Sequence, residues 1–233
     1  MNSVNLSKRL QVVADYVEKG ARLADIGSDH AYLPCYLAQN EQIDFAVAGE
    51  VVKGPYLNAV NEVTRLELEE TVDVRLGDGL RVLKDEDGIT AITIAGVGGP
   101  LIRRILEEGR QLNKRTGSET LILQPNVNEE TVRQYLMNEH YEIVSETIIE
   151  ENDKIYEVIK AEPTEQKQLY DELDLLFGPY LRKEKDPVFI KKWTNETDKL
   201  TYVIGQMEKA DKKDEAKMNE LKKRLELIKE MIA

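Results

Sequence analysis

Short apolar runs of strand length alternate with amphipathic runs of helix length from residue 21 onward, and this alternation narrows the fold more than any other feature of the chain. Residues 21–26, 43–48, 72–76, 89–95 and 121–124 read as strands, and 31–39, 54–66, 100–109 and 129–138 as the helices between and after them. Strands joined by crossover helices imply a parallel sheet covered on both faces. Unbroken apolar segments such as Ile92-Thr93-Ile94-Ala95 suit strands buried on both sides. A leading helix is expected from the spacing of Leu6, Leu10, Val13 and Val17, with Ser3 or Asn5 as its cap and Gly20 closing it.

The pattern changes near residue 140. Segments 141–149 and 154–161 are strand-like, yet only Glu150-Glu151-Asn152-Asp153 lies between them, too short for a crossover helix, so they form an antiparallel hairpin. These elements make one domain over residues 1–162. From 163 to 233 the composition shifts to helix formers: Trp193, Thr197, Leu200, Ile204 and Met207 repeat at alternating spacings of 4 and 3, as do Met218, Leu221, Leu225, Ile228 and Ile232. Two such helices joined through residues 210–213 predict a helical hairpin or short coiled coil.

The first strand-to-helix turn reads Ala24-Asp25-Ile26-Gly27-Ser28-Asp29-His30-Ala31, at the edge where open α/β sheets bind ligands. A dinucleotide site needs a second glycine where this chain has Asp29, and a carboxylate there repels a pyrophosphate. It suits a ligand carrying an ammonium or sulfonium group, which favours S-adenosylmethionine over NAD. Glu50, at the end of the second strand, can accept both ribose hydroxyls. Asp78, in Gly77-Asp78-Gly79-Leu80 after the third, can accept from the adenine amino group, although turn acids also serve as helix caps. The loop after the fourth strand, Ala95-Gly96-Val97-Gly98-Gly99, holds no side-chain acceptor to polarise an exocyclic amine. A ring nitrogen such as adenine N1 already offers an in-plane lone pair, so alignment and desolvation would suffice.

Together the segments Asp25 to Ala31, Gly49-Glu50, Gly77 to Leu80, Ile94 to Gly99 and Leu123-Gln124-Pro125-Asn126 resemble the bacterial tRNA (adenine-22-N1)-methyltransferases. The resemblance implies a Rossmann-like class I methyltransferase sheet, parallel with a terminal antiparallel hairpin, plus a small C-terminal α-helical coiled-coil domain that helps grip tRNA. It implies methylation of N1 of adenosine 22. This chain has Val97 where the family usually has Met. The expected cofactor contacts are Asp25, Gly27, Ser28, Asp29, His30, Glu50, Asp78, Gly79, Ala95 and Gly96. Asp29, His30, Gly96 and Asn126 are the expected catalytic set, with Asp29 the first choice to orient the adenine and Asn126 the second. A small-molecule methyltransferase and a non-catalytic S-adenosylmethionine-binding scaffold are the rival readings.

An RNA substrate sits uneasily with a formal net charge of −12. The excess is confined to residues 1–162, with 17 Lys+Arg against 29 Asp+Glu; residues 163–233 carry 15 of each. Local cation density governs phosphate binding, so Arg103, Arg104, Arg110, Lys114 and Arg115 are expected to hold tRNA beside the glycine loop. Lys8 and Arg9 form a second patch, with Gln124 and Asn126 as polar contacts to the base. No His, Cys or acid cluster has metal-ligand spacing. His140 sits in a turn away from the motifs and reads as structural. The single cysteine, Cys35, rules out an intramolecular disulfide. No apolar stretch approaches the roughly 18 residues of a membrane span, and residues 1–9 lack a signal-peptide core. The expectation is a cytoplasmic protein without a metal or membrane partner, monomeric or weakly homo-oligomeric.

Overall fold

The computed structural model describes residues 5–166, 168–209 and 214–233. The chain divides into two compact units, Met1–Tyr170 and Asp171–Ala233. In the first, α1 (Lys8–Tyr16), β1 (Ala21–Ile26), α2 (Tyr32–Gln39), β2 (Ile43–Glu50), α3 (Lys53–Arg65) and β3 (Val72–Leu76) come before the chain returns across the sheet. Then follow β4 (Ala91–Val97), α4 (Gly99–Gln111), β5 (Thr120–Pro125), α5 (Glu129–Asn138), β6 (Tyr141–Glu151) and β7 (Lys154–Pro163).

The sheet runs β3-β2-β1-β4-β5-β7-β6. Strands β1 to β5 are parallel, and β7 lies antiparallel between β5 and β6. The order reverses between β1 and β4, so the carboxyl ends of these two strands flank the switch point at which such sheets open a crevice. Alternate strand residues feed two core layers. Ala24, Ile92, Leu121 and Leu123 pack with Ile102, Leu106, Val132 and Leu136 of α4 and α5. Leu23, Ala46, Ala91 and Ile122 pack with residues of α1 to α3 such as Val13, Leu33 and Val63. Burial on both faces is why these strands read as continuous apolar runs.

The cap of α1 is neither Ser3, which lies outside the described residues, nor Asn5. Ser7 Oγ accepts from the Leu10 N–H at 3.2 Å, and Glu151, at the end of β6, accepts from the Lys8 N–H at 2.7 Å. The helix therefore begins where a carboxylate from the hairpin can meet its unpaired N–H groups.

The first unit also extends past the expected boundary at 162. The Tyr170 hydroxyl accepts from the Ile143 N–H at 2.8 Å, and Tyr170 packs against that core layer. In the second unit, α6 (Glu172–Phe177) and α7 (Leu181–Glu184) precede α8 (Pro187–Lys209) and α9 (Glu215–Ile232). The short pair was not anticipated, because helices of one or two turns leave no periodicity to read. Phe177, Phe189 and Trp193 form an aromatic cluster. Leu200, Ile204 and Ile228 are buried, as the heptad spacing requires. The expected joint at 210–213 lies outside the described residues.

Candidate active site

At the carboxyl end of β1 the backbone turns sharply. Gly27 has φ +76, and a Cβ there would meet nothing within 4 Å, so it is the backbone conformation that calls for glycine. Asp29, His30 and Ala31 follow at φ 21, 67 and 54, an unusual run of left-handed non-glycine residues. Glu50 from β2 helps to hold this turn: one carboxylate oxygen accepts from the Asp29 N–H at 3.1 Å, the other from the Val51 N–H at 3.1 Å. Each oxygen keeps a lone pair for a ligand.

Asp25 is buried beneath the turn. Its carboxylate accepts from Ser28 Oγ at 2.5 Å and Thr93 Oγ1 at 2.7 Å. Burial pushes its pKa up, the two hydroxyls pull it down and the negative charge of Glu50 adds to the rise. Thr93 was missed as a site residue, though it is the one polar side chain in the apolar run of β4. Above the turn, Asp29 Oδ1 lies 3.4 Å from His30 Nε2, and the His30 ring stacks on Tyr32 with centroids 5.1 Å apart.

Asp78 follows β3. It opens the 3-10 turn Gly79–Val82 without a side-chain capping bond, and its exposed carboxylate has no partner among the described residues. The capping role that a turn acid could have played is therefore absent. Asp25, Glu50 and Asp78 end or follow three successive strands at one sheet edge, with Gly79 at φ +54 completing the third turn.

The glycine loop is held from β5. Gly96 has φ +82 at a register shift between β4 and β5. Its N–H donates to Gln124 Oε1 at 3.0 Å and its carbonyl accepts from Asn126 Nδ2 at 2.7 Å. Gln124 is fully buried, so it belongs to the framework and does not touch substrate, contrary to expectation. Asn126 is exposed. Gly99 makes room for the loop after β5: a Cβ there would fall 2.2 Å from the Asn128 carbonyl oxygen. Ala95 and Val97 are half-buried and pack against the two core layers.

The basic residues do not form one patch. Arg115 is buried and donates to the Leu106 carbonyl, the Tyr135 hydroxyl and Glu139, bracing α4 to α5; it is not available to a phosphate. Arg110 pairs with Glu139 at 3.2 Å. At about 1.5 Å per residue, Arg110 lies some 16 Å down a helix that leads away from the sheet edge, and Lys114 sits in the turn after its last residue, Gln111. Arg103 and Arg104 are exposed nearer its start, with Arg103 loosely paired to Glu107. Lys8 is exposed, whereas Arg9 is half-buried with its guanidinium on Gln124. Cys35 is buried and its thiol is pushed up to about 12 by burial, which leaves no reactive thiolate. Among the described residues no group of acids, His or Cys could hold a metal ion, and no helix is long and apolar enough to cross a membrane.

Residues 23–230 match the family described as tRNA (adenine(22)-N(1))-methyltransferase. The tRNA (adenine(22)-N(1))-methyltransferase of Bacillus subtilis is 47% identical over 238 residues, covering 100% of this chain and 99% of its own. The solved structure of the B. subtilis m1A22 tRNA methyltransferase superposes with a TM-score of 0.91 at 44% identity, covering 99% of this chain and 100% of that one. A Streptococcus pneumoniae protein solved in complex with S-adenosyl-L-methionine gives 0.89 at 43% identity, covering 98% and 100%.

Proposed function

Since the chain belongs to the tRNA (adenine(22)-N(1))-methyltransferase family, we infer that it methylates N1 of adenosine 22 in tRNA, using S-adenosylmethionine. The observation that carries this reading is the row of carboxylates at one sheet edge, beside a glycine loop with no side-chain acceptor for an exocyclic amine. When bound, S-adenosylmethionine supplies an electrophilic methyl group on a sulfonium.

The residues present fit that group. Asp78 offers an unpartnered carboxylate for the adenine amino group, Glu50 has lone pairs left for ribose hydroxyls, and Gly27, Ser28, Gly79, Ala95 and Gly96 form the turns between them. Asp25 acts from below, through Ser28 and Thr93. Methylation at N1 leaves the adenine ring cationic without removal of a proton from N1, so a base is not the main requirement. Asp29, exposed and 3.4 Å from His30 Nε2, accepts from the N6 amino group and stabilises the positive ring. Asn126 orients the same edge. Arg103, Arg104 and Lys8 contact tRNA phosphates, joined by the second unit with its evenly balanced charge. The enzyme works in the cytoplasm, as a monomer or weak homo-oligomer.

The test is transfer of label from S-adenosylmethionine to unmodified bacterial tRNA, followed by mapping. A 1-methyladenosine at position 22 is expected. No transfer, or label at a different atom, would reject the reading.

A further inference from the structure

The first helix reaches the reaction centre, and the role of its arginine differs from that of a phosphate contact. Arg9 Nη1 donates to Gln124 Oε1 at 2.5 Å. Its guanidinium lies over the Tyr156 ring, 5.5 Å from the centroid. It also backs onto Gly96 so closely that a Cβ there would sit 3.4 Å from Nη1. Gln124 Oε1 thus accepts from both Arg9 and the Gly96 N–H, while Nε2 donates to the Pro125 carbonyl at 2.9 Å and to Asn126 Oδ1 at 3.2 Å. Asn126 Nδ2 in turn donates to the Gly96 carbonyl.

The two amides form a chain with a direction, and direction in an amide chain needs a reference group. Arg9 is donor-only: a guanidinium carries N–H groups and no acceptor. If the Gln124 amide rotated by half a turn, its NH2 would face the guanidinium and the Gly96 N–H, donor against donor, inside a buried site. The bond from the charged donor is also stronger than a neutral one. Fixing Gln124 fixes Asn126, whose oxygen then keeps one lone pair for an amino hydrogen while its nitrogen holds the Gly96 peptide.

We propose that Arg9 is a positioning residue for methyl transfer, one that sets the polarity of the Gln124–Asn126 amide chain and thereby the Gly96 peptide on which the target base is placed. The proposal rests on the adenine N1 reading given above. The Glu151 carboxylate that accepts from the Lys8 N–H anchors the start of α1 for this purpose.

Arg9→Met, Arg9→Lys, Gln124→Leu and the double variant Arg9→Met/Gln124→Leu distinguish positioning from phosphate binding. With saturating tRNA in single turnover, Arg9→Met should slow transfer by roughly tenfold or more, the scale of a misaligned reacting pair. The salt slope of tRNA binding should stay at its wild-type value. Arg9→Lys, which keeps the charge and a donor, should recover part of the rate, and the double variant should be no slower than Gln124→Leu alone. The proposal is overturned if Arg9→Met leaves the saturated rate unchanged while lowering the salt slope by about one, as loss of a phosphate contact does. It is equally overturned if the two single costs multiply. Should Arg9→Met melt below the assay temperature, Arg9→Lys against wild type carries the same comparison. Wild-type protein inactive on tRNA would instead reject the reading of the preceding subsection.

Discussion

Single side chains at this site fall into those that the fold already uses and those it leaves for a ligand, and the two kinds should respond differently to substitution. Asp78 has no side-chain partner among the described residues. Asp78→Ala should therefore leave the melting temperature unchanged and weaken S-adenosylmethionine binding by roughly tenfold or more, the loss of a hydrogen bond to a charged acceptor; calorimetric titration and a thermal melt read the two quantities. Asp25 is the opposite case. Burial raises its folded pKa above the ordinary 3.8, against the pull of Ser28 and Thr93. A carboxyl raised in the folded state favours folding least when ionised: the cost is absent below the unfolded value, grows as pH climbs through it and levels off above the folded value. Asn at this position can still accept from Thr93 and donate to Ser28, whose hydroxyl can turn to accept. Asp25→Asn should then be more stable than wild type near pH 7 and lose that advantage as pH falls toward about 4, which urea titrations across pH would show. A variant equally stable at both ends would remove burial as the cause.

Between elements, the interactions that hold α4 and α5 to the sheet were the least legible in the sequence. Strand and helix order could be read because two-sided burial gives unbroken apolar runs and crossover helices keep their period. The insertion of β7 between β5 and β6 could not, since a hairpin has the same sequence pattern whichever of its strands joins the sheet. The basic run from Arg103 to Arg115 looked like one surface patch, yet Arg115 folds inward onto the Leu106 carbonyl, Tyr135 and Glu139. Arg133 is a stronger case: an arginine on an amphipathic helix reads as exposed, but it is fully buried between Glu146 of β6 and Glu157 of β7, at 2.8 and 2.5 Å. The paired carboxylates offset its burial and hold the guanidinium protonated, its pKa raised. Arg133→Met would leave two carboxylates buried without their cation, a loss of about 3–5 kcal/mol in chemical unfolding. A loss below about 1 kcal/mol would mean that the glutamates are satisfied elsewhere.

Across the whole molecule, the excess negative charge lies in residues 1–162, whereas the helical region from 163 to 233 is charge-balanced. The acidic residues of the first unit include Asp25, Glu50 and Asp78, and under the cofactor-site reading proposed above that part of the negative charge does not oppose RNA. With few free cations near the crevice, the first unit should give tRNA binding only a shallow salt dependence, and the second unit should supply much of the affinity. The junction makes this separable. A chain ending at Tyr170 keeps the hydroxyl that accepts from the Ile143 N–H, whereas one ending at Glu162 removes that anchor and the last residue of β7, Pro163. The fragment 1–170 should melt cooperatively and bind S-adenosylmethionine as the full chain does, while its tRNA affinity at 150 mM salt drops by roughly tenfold or more. The fragment 1–162 should melt at a lower temperature than 1–170. Undiminished tRNA binding by 1–170 would place the whole RNA surface on the first unit, and Arg103, Arg104 and Lys8 would then have to account for all of it.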